Sequence, residues 1–92
     1  MKRVLFPVLI ACCLATSAGL AQKGRKEALE GNRLYQEKKF DEALRKYEEG
    51  LRAAPDSTIL RFNRGDALYR KGQFDQALKS FEEALGLETD LE

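Results

Sequence analysis

Catalysis near neutral pH usually draws on histidine, cysteine or two unequal acids, and this 92-residue chain offers little of any of them. It has no histidine, and its only cysteines, Cys12 and Cys13, fall in the opening stretch "MKRVLFPVLIACCLATSAGLAQ". Beyond that stretch, imidazole and thiolate chemistry and the usual zinc sites lack side chains to use. Adjacent acids do occur, at Glu48–Glu49 and Glu82–Glu83. Their helical register places both on solvated faces, where ordinary ionised carboxylates are expected rather than a tuned acid–base couple. The glycines do not form a phosphate-cradling loop. No enzyme, metal site or cofactor is therefore expected. What remains is recognition chemistry, in which aromatic rings beside amides suit an extended peptide. Rings give apolar contact area, and amides can bond a peptide backbone.

The elements that would position those groups are written twice. "FDEALRKYEEGL" at 40–51 returns as "FDQALKSFEEAL" at 74–85, and the register holds outside these stretches too. Gly31 meets Gly65, Leu34 meets Leu68, Tyr35 meets Tyr69 and Tyr47 meets Phe81, every pair 34 residues apart. Ala43, Leu44, Tyr47 and Leu51 form one stripe of helical period, and Ala77, Leu78, Phe81 and Leu85 repeat it. The opposite face, with Glu42, Arg45, Lys46, Glu49 and Arg52, reads as solvated surface. A helix precedes each stripe, over about 25–38 and 57–71, so each unit is a helix–turn–helix. Asp41 and Asp75 suit an N-cap or a first helical turn. Gly72 suits a left-handed helix end, and "PDS" at 55–57 a turn followed by a cap. Small residues at Gly31 and Ala43, and at Gly65 and Ala77, predict close helix crossings, with Phe40 and Phe74 filling the space beside each turn.

These residues resemble the tetratricopeptide repeat, whose signature is a small residue in the first helix, Ala-x3-aromatic in the second and a closing proline. Here they are Gly31, Ala43, Tyr47 and Pro55, then Gly65, Ala77 and Phe81. The sequence departs at Glu27 and Arg61, where the pattern has a large apolar residue, and at Thr89, where it has proline. The resemblance implies an all-α solenoid of two tandem antiparallel hairpins, repeat one over about 24–57 and repeat two over about 58–91. It also implies a non-catalytic scaffold that binds a protein or peptide on a concave face lined by the first helix of each unit. Counting within the repeat, Arg25, Ala28, Asn32 and Tyr35 would line that face from unit one. Ile59, Phe62, Asp66 and Tyr69 would join from unit two, with Asn63 close by. For Tyr35 and Tyr69, packing between helices competes evenly with ligand contact. A glycan-binding module is a further alternative, weakened by the absence of tryptophan. One subgroup of the family clamps a chaperone's C-terminal carboxylate. Asn32 and Asn63 match two of its five positions, but Ala28 replaces the first lysine and no fifth helix is predicted, so the clamp is rejected.

The opening stretch predicts export. Lys2 and Arg3 precede an apolar run from Val4 to about Ala15, and Gly19 and Ala21 suit a signal-peptide cut after Ala21. That gives a signal peptide over 1–21 and one repeat domain over 22–92, with the bacterial periplasm or cell envelope as destination. A second route, lipidation at Cys12 within "LIAC", stays open and would make a membrane-anchored envelope assembly factor. The leader together with "FNRGDALYRKGQFDQALKSFEEAL" also resembles small exported repeat proteins of bacterial aerotolerance operons, which implies an envelope membrane protein as partner. Without Lys2 and Arg3, 14 basic residues face 15 acidic ones, a net charge of −1 that gives no electrostatic case for nucleic acid. Two units fall short of the roughly three that such arrays need, so the last helix should leave an apolar flank uncovered. A continuing array, self-association or a partner would cover it, the first being the favoured expectation.

Overall fold

The structure, a computed structural model, describes residues 23–89. The expected signal peptide over 1–21, its cut and the Cys12 lipidation site lie outside the described residues. Four helices follow in order: α1 (Arg25–Gln36), α2 (Phe40–Ala53), α3 (Thr58–Arg70) and α4 (Phe74–Thr89). α1 packs on α2 and α3 on α4; α2 also packs on α3, and α1 touches α3. Two antiparallel hairpins thus lie side by side, as the repeat predicts, with no strand among the described residues.

The helix ends follow local chemistry. Ser57 caps α3 by accepting the Leu60 N–H at 3.2 Å. Lys39 stands at the cap of α2, where its side chain makes no capping hydrogen bond and its ammonium pairs instead with Glu37 at 3.4 Å. Asp41 and Asp75 therefore act as first-turn acids against the helix dipole, not as caps. The turns inside the two units are copies of each other. Lys38 and Lys39 N–H donate to the Tyr35 and Leu34 carbonyls at 2.9 Å, and Gly72 and Gln73 N–H donate to Tyr69 and Leu68 at 2.9 Å. Gly72 takes the expected left-handed conformation at φ 81°, but Lys38 holds the same conformation at φ 63° with a full side chain.

Leu34, Ala43, Tyr47, Leu60 and Ala67 form the core, with Ala28, Tyr35, Leu44, Leu51 and Ala54 against it. The Tyr47 ring lies against Gly31, where an added Cβ would come within 2.5 Å of it, and Phe81 lies against Gly65 at the same 2.5 Å. The first helix of each pair thus needs a glycine beneath a ring, and Ala43 and Ala77 in the second helices are fully buried. Arg61, one of the departures from the repeat pattern, bonds the Pro55 carbonyl through Nε and Nη2 at 3.1 and 2.7 Å. It ties the start of α3 to the turn after α2.

The expectation that Phe40 and Phe74 would fill equivalent spaces needs correction. Phe40 is half-buried, but Phe74 is 59% exposed although its ring still meets Tyr69 edge-on at 5.1 Å. Leu78 and Leu85, equivalent to half-buried Leu44 and Leu51, are likewise exposed. Unit one has α3 packed beside it. Among the described residues no helix takes that place beside unit two.

Candidate peptide-binding groove

α1 and α3 run along one side of the molecule and enclose a groove of about 290 Å³. Arg25, Ala28, Leu29 and Asn32 line it from α1, and Ile59, Leu60 and Asn63 from α3, with Lys23, Gly24 and Ser57 at its end. The walls are apolar, since Leu29 and Ile59 expose more than half their surface there. The floor is a pair of amides. Asn32 Oδ1 accepts from the Tyr47 hydroxyl at 2.7 Å and from Asn63 Nδ2 at 3.3 Å. With its oxygen engaged by these two donors, Asn32 retains its Nδ2 donor and Asn63 its Oδ1 acceptor. A donor and an acceptor side by side match what a peptide backbone presents. Lys23 and Arg25 add positive charge at one end.

Of the residues expected to line the concave face, the structure brings Arg25, Ala28, Asn32, Ile59 and Asn63 to this groove. The others lie elsewhere along the helices. Tyr35 is half-buried, meets Phe40 edge-on at 5.2 Å, and accepts a hydrogen bond from Arg70 Nε at 3.0 Å. Its ring also faces the Arg70 guanidinium at 5.8 Å, so it serves as a contact between units. Tyr69 packs on Phe74 and Phe62 on Phe81, the latter pair at 5.2 Å. Phe62 keeps 51% of its surface open. Asp66 is partly buried beside Tyr47 and Arg70; burial raises its carboxyl above the ordinary range, and Arg70 offsets this in part.

Tyr47 and Arg70 were not among the sequence candidates, yet they position Asn32 and Tyr35. Tyr47 is nearly inaccessible, and burial, with Asp66 and Tyr35 near, pushes its hydroxyl up to about 12. It therefore stays protonated and donates to Asn32. The signal in the sequence is the one oxygen by which Tyr47 differs from Phe81.

The adjacent acids stand apart from the groove. Glu48 and Glu49 border a wider hollow on the outer face of α2, among Glu42, Arg45, Lys46 and Arg52. Glu49 pairs there with Lys46 at 3.2 Å. Glu83 pairs with Arg64 at 3.3 Å and Arg61 at 3.7 Å, while Glu82 is exposed. No cluster of three potential metal ligands occurs among the described residues, and no helix there is long and apolar enough to cross a membrane.

Paired helices stacked in register, with a groove along the first helix of each pair, define a helical-repeat interaction module. The chain belongs to the tetratricopeptide-repeat family, whose model matches residues 29–90. It is also similar to a protein named Hsp70-Hsp90 organising protein from Plasmodium falciparum, with 40% identity over 42 residues. That match covers 46% of this chain and 7% of the relative. No solved structure matches it significantly.

Proposed function

We propose that the chain is a non-catalytic, exported scaffold whose α1–α3 groove binds an extended peptide segment of a protein partner. The observation that carries this is the Asn32–Asn63 pair, oriented by the buried Tyr47 hydroxyl and set between apolar walls. The amides bond the ligand backbone, Leu29 and Ile59 take apolar side chains, and Arg25 favours an acidic group nearby. Membership of a family built for protein contacts supports the same reading. The chaperone clamp stays rejected for this chain, because Ala28 lines the groove where the clamp needs a lysine.

Export rests on the opening stretch, and its periplasmic or envelope setting favours a partner in the cell envelope, a membrane protein included. The sequence "LIAC" supports a second reading, in which the same module is anchored through Cys12. Intact-mass measurement of the mature protein separates the two: an unlipidated chain starting at Gln22 excludes the anchor. The groove itself is tested by panning a random peptide library against the chain and remeasuring the selected peptides on Asn63→Ala and Arg25→Glu variants. Binding should fall in both. Selected peptides that bind both variants as well as the parent would refute the groove.

A further inference from the structure

Unit two carries on its outer side a copy of the surface by which unit one holds unit two. In unit one, Tyr35 accepts from Arg70 Nε at 3.0 Å, and Asp41 holds Lys71 Nζ at 2.6 Å. Leu44 packs against the core that contains Ala67, and it shares a wall with Leu68 between the units. Thirty-four residues on, the equivalents are Tyr69, Asp75 and Leu78. Tyr69 and Leu78 are both exposed, as is Phe74. Asp75 is exposed and takes part in none of the ion pairs among the described residues. The surface is thus an apolar patch edged by a hydroxyl acceptor and a carboxylate, and the molecule already shows what fits such a surface. Helix α3 fits it with a small apolar pair, Ala67–Leu68, followed one residue later by two adjacent cations, Arg70–Lys71.

The first helix of another copy does not meet that specification. In α1, Arg33 stands where α3 has buried Ala67, Gln36 replaces Arg70, and Glu37 replaces Lys71. Stacking copies in series would put a charge against the apolar patch and an acid beside Asp75. We propose that the outer face built by Tyr69, Phe74, Asp75 and Leu78 docks an amphipathic helix from a partner protein, one presenting a small apolar pair followed by two cations in the α3 pattern. Apolar contact with Leu78 and Phe74 supplies the attraction, and Asp75 and Tyr69 set the register.

The probe is a labelled peptide of residues 57–72, STILRFNRGDALYRKG, titrated into the full chain and followed by fluorescence anisotropy. Saturable binding is expected, weakened roughly tenfold or more by Leu78→Glu, which sets a charge in a desolvated contact. Asp75→Lys should also weaken it, and a peptide carrying Arg70→Glu and Lys71→Glu should restore binding to that variant. Both substitutions are at exposed positions, and unchanged circular dichroism will show that the fold is intact. Absence of binding overturns the proposal. Binding indifferent to both variants also overturns it, since the peptide would then be replacing α3 itself. Leu78-dependent self-association in sedimentation, without peptide, assigns the face to a second copy and overturns it too, as does a native reading frame that continues past Glu92 into a third helical unit, which assigns the face to the chain itself.

Discussion

Tyr47 and Phe81 hold the same place in the two units, each ring laid on a glycine of the preceding helix, yet their surroundings differ. Tyr47 is sealed beneath unit two and spends its hydroxyl on Asn32. Phe81 is half-buried, has no hydroxyl, and packs on Phe62 instead. One residue earlier the contrast reverses. Lys46 reaches Glu30 loosely at 3.8 Å, whereas Ser80 is buried, donates to the Arg61 carbonyl at 2.7 Å and accepts from Arg64 Nε at 2.9 Å. Each hairpin therefore has its own polar tie between helices. The fold requires the glycine beneath a ring and leaves the neighbouring positions free. Unit one uses that freedom to orient the Asn32 amide, and unit two uses it to lock a hairpin whose outer side no described helix covers.

The comparison breaks most visibly at the glycines. Gly31→Val should destabilise the chain by about 1–3 kcal/mol, because Tyr47 is enclosed and cannot yield to the added atoms. Gly65→Val should cost less, since Phe81 is half-buried and can swing outward. Urea midpoints measured on both variants check this. Equal losses would mean that the two rings are equally confined.

Tyr47→Phe makes unit one resemble unit two at its most distinctive atom. Loss of the hydrogen bond to Asn32 should cost about 1 kcal/mol. If the proposed groove binds peptide, its affinity should fall with it, although Tyr47 lies beneath the groove and does not line it. The pH dependence carries a further mark. A hydroxyl raised from 10.0 to about 12 on folding gives stability that is complete below 10 and lost as pH rises through 12. Alkaline denaturation of Tyr47→Phe should lack that component.

The repeat, its hairpins and the open flank of the last helix were legible because periodicity and register survive in a single sequence. Gly31 under Tyr47 was legible as a small residue at a crossing, though not as a seat for a ring. The groove was legible in part. Asn32 and Asn63 follow from counting along first helices, but counting does not reveal that Tyr35 is drawn away by Arg70 in the other unit. Ile59 follows from the same count, but Leu29, which supplies the facing wall, does not, because it reads as an ordinary exposed apolar residue. Contacts that cross between units depend on how the hairpins are set against each other, and no local pattern encodes that angle. Lys38 is a different kind of miss. Lysine carries no signal for a left-handed conformation, and the closing bonds from residues 38 and 39 hold it there.

That turn supplies the next test. Lys38→Gly should stabilise the chain by up to about 1 kcal/mol by removing a side chain from a left-handed backbone. Gly72→Lys should destabilise by about as much. An added Cβ at Gly72 would meet nothing within 4 Å, so backbone conformation alone sets the loss. Thermal midpoints moving in opposite directions would show that the two turns are equivalent. A loss on Lys38→Gly would mean that the lysine side chain contributes something its partner turn lacks.

The smallest expected effect concerns two acids that titrate in opposite senses. Asp66 occupies in unit two the place that neutral Asn32 holds in unit one. Burial raises its carboxyl above 3.8, so the acid binds its proton more tightly in the folded chain. Its contribution to stability is therefore full below 3.8 and lost as pH rises through the raised folded value. Asp41 is the reverse. A hydrogen bond from Lys71 lowers its carboxyl below 3.8, so its contribution is full above that value and lost as pH falls through the depressed one. Asp66→Asn should slightly raise the thermal midpoint at pH 7 and remove the decline on leaving acid. Asp41→Asn should slightly lower it at pH 7 and remove part of the acid loss. Thermal midpoints recorded across this range on both variants should diverge from the parent in opposite directions. If Asp66→Asn instead lowers the midpoint at neutral pH, its attraction to Arg70 outweighs the cost of burying the charge, and unit two gains from the acid that unit one does without.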